Sequence, residues 1–158
     1  MPARQRQSTS LYALADGTVI RASGAGEGFA TIGVVVKDRD RRTVTAFAEQ
    51  VKAANQVEAQ CRSLIAALDA ARMYGAEAVT VYCPNSAVVA ELNRKLPRNP
   101  DLTKLYLLIT AHMNRFRRAS VRHANARNWE PLQLARDHAS RMSGYGVART
   151  ASLFPTAA

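Results

Sequence analysis

The chain has little cysteine, little lysine, few acids and no long apolar run, and each shortage excludes something. Two cysteines, Cys61 and Cys83, cannot build a disulfide framework, and no Cys/His spacing matches a zinc site. The longest strongly apolar run near the start, Ile32 to Val36, is too short to span a bilayer. The opening Met1-Pro-Ala-Arg-Gln-Arg-Gln carries charge without the apolar core of a signal peptide. These features read as a cytoplasmic chain with no membrane segment. Neither a repeat of solenoid period nor a low-complexity block is found. Asp+Glu total 12 against Lys+Arg 22, a formal net charge of +10 over 158 residues. Lysine occurs only at Lys37, Lys52, Lys95 and Lys104, so the excess is arginine. Planar guanidinium groups match phosphate, which makes nucleic acid the first partner to consider; a generally basic, soluble surface is the alternative. What is plentiful is apolar material: at 47% it supports one packed domain.

Along the chain, residues 1–8 read as a flexible basic N-terminus, 9–142 as a single domain and 143–158 as a flexible C-terminal tail. Residues from about Thr9 to Val19 suit a strand that ends or bulges at Gly17. A glycine-rich link, Gly24-Ala-Gly-Glu-Gly28, leads to a second strand, Thr31 to Val36, and the polar turn Lys37 to Arg42 leads to a third, Thr43 to Val51. The period then changes. Val57, Cys61, Leu64, Ile65 and Leu68 recur at helical spacing, Asn55 and Glu58 form a capping box, and Gly75 supplies a stop. Ala78 to Cys83 is a buried strand. Asn85 starts a helix running through Leu96, and Asn99-Pro100-Asp101 starts another, with a stripe from Leu102 to Phe116. A strand, Ala119 to His123, precedes a last helix from about Trp129 to Met142. The order β-β-β-α-β-α-α-β-α is an α/β class with a mixed sheet and helices on both faces.

That order and four local stretches resemble the ribonuclease H-like superfamily, in particular its short type 1 domains. The stretches are Ala15-Asp16-Gly17-Thr18 with the glycine-rich link, Gln56 to Ala71, Val81-Tyr-Cys-Pro-Asn85-Ser, and Val121-Arg-His123 leading to the last helix. The resemblance implies a five-stranded sheet and a site where four carboxylates hold two divalent metals, Mg2+ or Mn2+, that cleave RNA in an RNA:DNA hybrid. Carried over by position, Asp16 stands at the first carboxylate. Gln60, Asn85 and Gln133 stand at the other three, and His123 matches the family's loop histidine. Hard cations need anionic oxygens. One acid and three neutral amides leave most of the charge of two metals uncompensated, so the resemblance implies a degenerate site with Asp16 as its one metal ligand.

Two other acids could rebuild the site, Glu58 and Asp137. Glu58 lies two positions before Gln60, which points it elsewhere on a helix, and the capping box gives it another role. Asn85 is a good helix N-cap whatever its ancestry. His123 has a plain reading as a histidine after a strand, and Trp129 as a packing residue. The arginines group densely around the last strand, at Arg115, Arg117, Arg118, Arg122 and Arg127, with Arg21 at the end of the first. In this fold the end of the last strand borders the substrate groove, so these side chains are the expected nucleic-acid contacts. Three functions are compatible with the residues: binding of structured RNA or a hybrid by a pseudoenzyme, an active ribonuclease H with relocated carboxylates, or a protein-interaction scaffold that holds a protein partner or forms a homo-oligomer.

Overall fold

The computed structural model describes residues 9–21, 28–125 and 129–153, with side chains for all of these but Arg21 and 143–153. Strands β1 (Ser10–Arg21), β2 (Phe29–Lys37) and β3 (Thr43–Lys52) form an antiparallel meander. Strand β4 (Ala78–Cys83) lies parallel to β1, and β5 (Arg118–His123) parallel to β4. The result is a five-stranded mixed sheet in the order β3-β2-β1-β4-β5, with the first strand in the middle. The helices are α1 (Gln56–Met73), α2 (Ser86–Leu92), α3 (Thr103–Met113) and α4 (Glu130–Leu153).

Two glycines fix how helices meet the sheet. A Cβ on Gly17 would come within 3.0 Å of the Ala59 carbonyl oxygen, so α1 lies directly on β1. A Cβ on Gly33 would collide with the Pro131 carbonyl at the start of α4. Gly33 pairs with Asp16, the neighbour of Gly17, and neighbours on a strand face opposite ways. Helices α1 and α4 therefore sit on opposite faces. The main core lies on the α1 side, where Leu11, Ala13, Ala15, Val34, Val81 and Val121 meet Leu64 and Leu68 of α1 and Tyr106 and Ile109 of α3. Cys61 and Cys83 belong to this core as free thiols, and burial pushes them up to about 12 and about 11.

Four expected boundaries are corrected. Strand β1 runs through Gly17, and its register shift falls between Val19 and Arg21; the glycine serves the approach of α1, not a turn. Helix α2 stops at Leu92 because Asn93 turns its amide to the Val121 carbonyl at 3.1 Å and Arg94 adopts φ 58. Leu96 is thus outside the helix and half-exposed. Asn99 caps a short 3-10 turn, Pro100–Leu102, ahead of α3, and Phe116 is buried beyond the end of that helix. Helix α4 continues past Met142 to Leu153; Gly144 and Gly146 lower helix propensity by about 1 kcal/mol each but supply no stop. Among the described residues no helix is long and apolar enough to cross a membrane.

Candidate nucleic-acid site

Strand β1 outlasts its parallel neighbour. The last pair between β1 and β4 is Leu14 with Tyr82, so Asp16 stands beyond the end of β4, where a helix can reach it. The start of α1 fills that place. Its Gln56 Nε2 donates to the Gly17 carbonyl at 2.6 Å, and its Oε1 accepts from the Val19 N–H at 3.3 Å, substituting for a missing strand partner. One turn later Gln60 reaches Asp16. From β4, the chain passes Cys83 and turns into α2 at Asn85, whose Oδ1 accepts from the Val88 N–H at 3.1 Å as a side-chain cap.

Three of the four positions singled out in the sequence are joined by hydrogen bonds. Asp16 Oδ1 accepts from the Gly17 N–H at 2.8 Å and from Gln60 Nε2 at 3.2 Å. Gln60 Oε1 in turn accepts from Asn85 Nδ2 at 2.8 Å. Asp16 is 3% exposed and Gln60 8%, so this is a buried network in which each polar group must find its partner. Burial raises the Asp16 carboxyl above its ordinary value, opposed by the Gly17 N–H, the Gln60 amide and the charge of Arg136.

Arg136 was not among the expected site residues. It lies three positions after Gln133 on α4, the same helix face, and it is the α4 group whose charge acts on Asp16. Helical phase from Gln133 could have found it. Gln133 itself is exposed and has no hydrogen bond to Asp16, Gln60 or Asn85 among the described residues. His123 is exposed at the end of β5, in register with Cys83.

The acids considered as substitutes are not gathered here. Glu58 Oε2 accepts from the Ala54 N–H at 2.7 Å, and the Glu58 N–H donates to Asn55 Oδ1 at 3.0 Å, so that carboxylate belongs to the cap of α1. Asp137 is exposed on α4. Among the described residues, no three His, Cys, Asp or Glu side chains group where they could share a metal ion.

The arginines divide between the two ends of β5. Arg115, Arg117 and Arg118 are exposed at its start, where the Arg117 and Arg118 N–H groups donate to the Glu77 carbonyl. Arg122 is exposed near its finish, in register with Tyr82 and close in sequence to His123. Arg118 and Arg122 are four residues apart on β5, about 13 Å along the strand. Arg21 ends β1 beyond Asp16, and Arg127 lies outside the described residues. Trp129 is buried in front of α4, with its indole N–H unpartnered.

A mixed sheet with this strand order, and an acid on its first strand facing the start of the first helix, defines a ribonuclease H-like domain. The chain belongs to the reverse transcriptase-like family, whose match covers residues 15–138. It is 37% identical over 126 residues to the bifunctional protein Rv2228c of Mycobacterium tuberculosis, an alignment covering 75% of this chain and 34% of that protein. The chain thus spans about a third of the length of that curated relative. Among solved structures, the N-terminal RNase H domain of Rv2228c is similar at 30% identity and a TM-score of 0.70, over 86% of this chain and 99% of that one. RNase H1 from the halophilic archaeon Halobacterium salinarum is similar at 25% identity and a TM-score of 0.71, over 81% and 96%. LC11-RNase H1, solved in complex with RNA/DNA hybrid, shares the fold at 19% identity and a TM-score of 0.68, over 80% and 94%.

Proposed function

We propose that this domain holds duplex nucleic acid, structured RNA or an RNA:DNA hybrid, by its sugar-phosphate backbone, and has lost the two-metal hydrolysis of its fold. The observation that carries this reading is the amide chain Asp16–Gln60–Asn85. Both amide oxygens are already committed, Gln60 Oε1 to Asn85 and Asn85 Oδ1 to the Val88 N–H. The one carboxylate is buried, accepts two hydrogen bonds on one oxygen and feels an arginine. Such a donor set does not fit a pair of divalent cations, which need several anionic oxygens converging on one spot. A site with a single carboxylate also suits a bound phosphodiester, because it presents less negative charge to repel it than four would.

Backbone capture falls to Arg122, exposed near the end of β5 next to His123, and, as the family resemblance implies, to Arg21 and Arg127. Their guanidinium groups make bidentate contacts to phosphate oxygens. That a protein of the same fold has been solved with an RNA/DNA hybrid supports the choice of ligand. The test is retention of a labelled hybrid across a salt series. Arg122→Gln is expected to weaken binding and flatten the salt dependence by about one counterion. Binding that ignores salt, or none at physiological salt, would favour a protein-interaction scaffold instead.

A further inference from the structure

Helix α4 packs over β2, β1 and β3 and leaves the β4–β5 part of the same sheet face largely open among the described residues. Strand alternation places Ser10, Tyr12 and Leu14 of β1, Thr80 and Tyr82 of β4, and Arg118, Ser120 and Arg122 of β5 on that face. The register agrees: Tyr12 pairs with Thr80 and Thr80 with Ser120, while Leu14 pairs with Tyr82 and Tyr82 with Arg122. A hydrogen bond from Ser120 Oγ to Thr80 Oγ1 at 3.3 Å confirms the shared side. Tyr12 and Tyr82 are therefore diagonal neighbours in the middle of an open platform, and Tyr12 is 39% exposed.

Cations stand on both rims. From the β2–β3 turn, Arg39 and Arg41 line a depression with Tyr12 and Tyr82, and Arg39 Nη2 donates to Ser10 Oγ at 3.3 Å. On the other side Arg118 and Arg122 line a second depression that shares Tyr12. Two of the nearby acids have partners. Asp38 Oδ1 accepts from the Asp40 and Arg42 N–H groups, and Glu130 pairs with Lys37 at 2.7 Å. Among the described residues Arg39, Arg41, Arg118 and Arg122 form no ion pair.

We propose that this open face is a second binding site, for single-stranded nucleic acid. An exposed tyrosine on a strand is ordinary, but exposed Tyr12 beside half-buried Tyr82, between arginines that form no ion pair, offers flat ring surface next to positive charge, as a stacked base and its phosphate require. Single strands offer base faces to stack on, whereas a duplex keeps its bases stacked internally. The tyrosine pair lies apart from Asp16, which stands past the end of β4; Arg122 borders both sites, so the test uses Tyr12, Arg39 and Arg118, and the proposal does not depend on the duplex reading.

Fluorescence anisotropy of the full chain with a labelled 12-nucleotide uridine oligomer, beside a labelled RNA:DNA hybrid, tests it. Tyr12→Ala should weaken oligomer binding by about tenfold, Tyr12→Phe should keep it, and hybrid binding should be unchanged in both. Arg39→Gln combined with Arg118→Gln, both on exposed side chains, should also weaken oligomer binding and reduce its salt dependence; this pair carries the test if Tyr12→Ala lowers the folded fraction in a thermal melt. Unchanged oligomer binding in these variants would overturn the proposal. So would equal losses for oligomer and hybrid, or displacement of the oligomer by poly-glutamate with the same affinity in wild type and Tyr12→Ala, which would mark a site for acidic peptide. Failure of the wild type to bind hybrid would count against the duplex reading alone.

Discussion

The Asn85 side-chain amide donates to the Gln60 side-chain oxygen Oε1 at 2.8 Å, a bond that two ionised carboxylates in those places could not make. An amide has both a donor and an acceptor, so it can pass a hydrogen bond along a chain; an ionised acid only accepts. Asp16, Gln60 and Asn85 are therefore linked to one another by hydrogen bonds of their own side chains.

Restoring the acids should expose this. Gln60→Glu with Asn85→Asp places carboxylates beside buried Asp16 and removes the donors between them. We expect the double variant to lose about 1–3 kcal/mol in urea unfolding and to regain part of it on adding millimolar Mg2+, with no Mg2+ response in the wild type. A double variant as stable as wild type in the absence of metal would mean that the amide chain contributes little.

The buried carboxyl of Asp16 gives a pH-dependent prediction. Burial raises it in the folded state above its ordinary value of 3.8, so the folded protein holds the proton more tightly than the unfolded chain. Stability then falls as pH rises from 3.8 to the raised value, and above it the ionised group carries a constant cost. Asp16→Asn removes that cost. Its Tm should exceed that of wild type at pH 7, and the difference should vanish below pH 3.8. A variant less stable than wild type at pH 7 would show that the Gly17 N–H, the Gln60 amide and the charge of Arg136 together outweigh burial.

Gly33 is the seat of α4. A side chain there meets the Pro131 carbonyl, so Gly33→Ala must lift the start of the helix. The expected loss is about 1–3 kcal/mol, with faster amide exchange in α4 than in α1. Exchange that speeds up evenly through the whole domain would contradict this placement of α4.

Much of this was legible beforehand for local reasons. The capping box at Asn55 and Glu58, the helical period through Leu64 and Leu68, and the alternation of β2 are each fixed by neighbours within a few residues, and the structure repeats them. Asp16, Gln60 and Asn85 could be brought together on paper because the resemblance to ribonuclease H domains supplied the strand order, which no local pattern contains. What escaped was tertiary. Gly17 signalled a turn by composition, yet its missing side chain serves the Ala59 backbone across the sheet. Arg136 sat unnoticed because which face of α4 meets Asp16 depends on Pro131 resting on Gly33. Strand alternation already says that the arginines around β5 cannot all share one face, and among the described ones Arg115, Arg117 and Arg118 lie at its start and Arg122 near its end.

We propose that the site binds a backbone without cutting it. The most direct measurement is incubation of purified protein with end-labelled RNA:DNA hybrid in Mg2+ and, separately, Mn2+, read for both retardation and cleavage. The account predicts a retained, intact hybrid whose retention weakens with salt. Turnover of the RNA strand that is abolished by Asp16→Asn would contradict it.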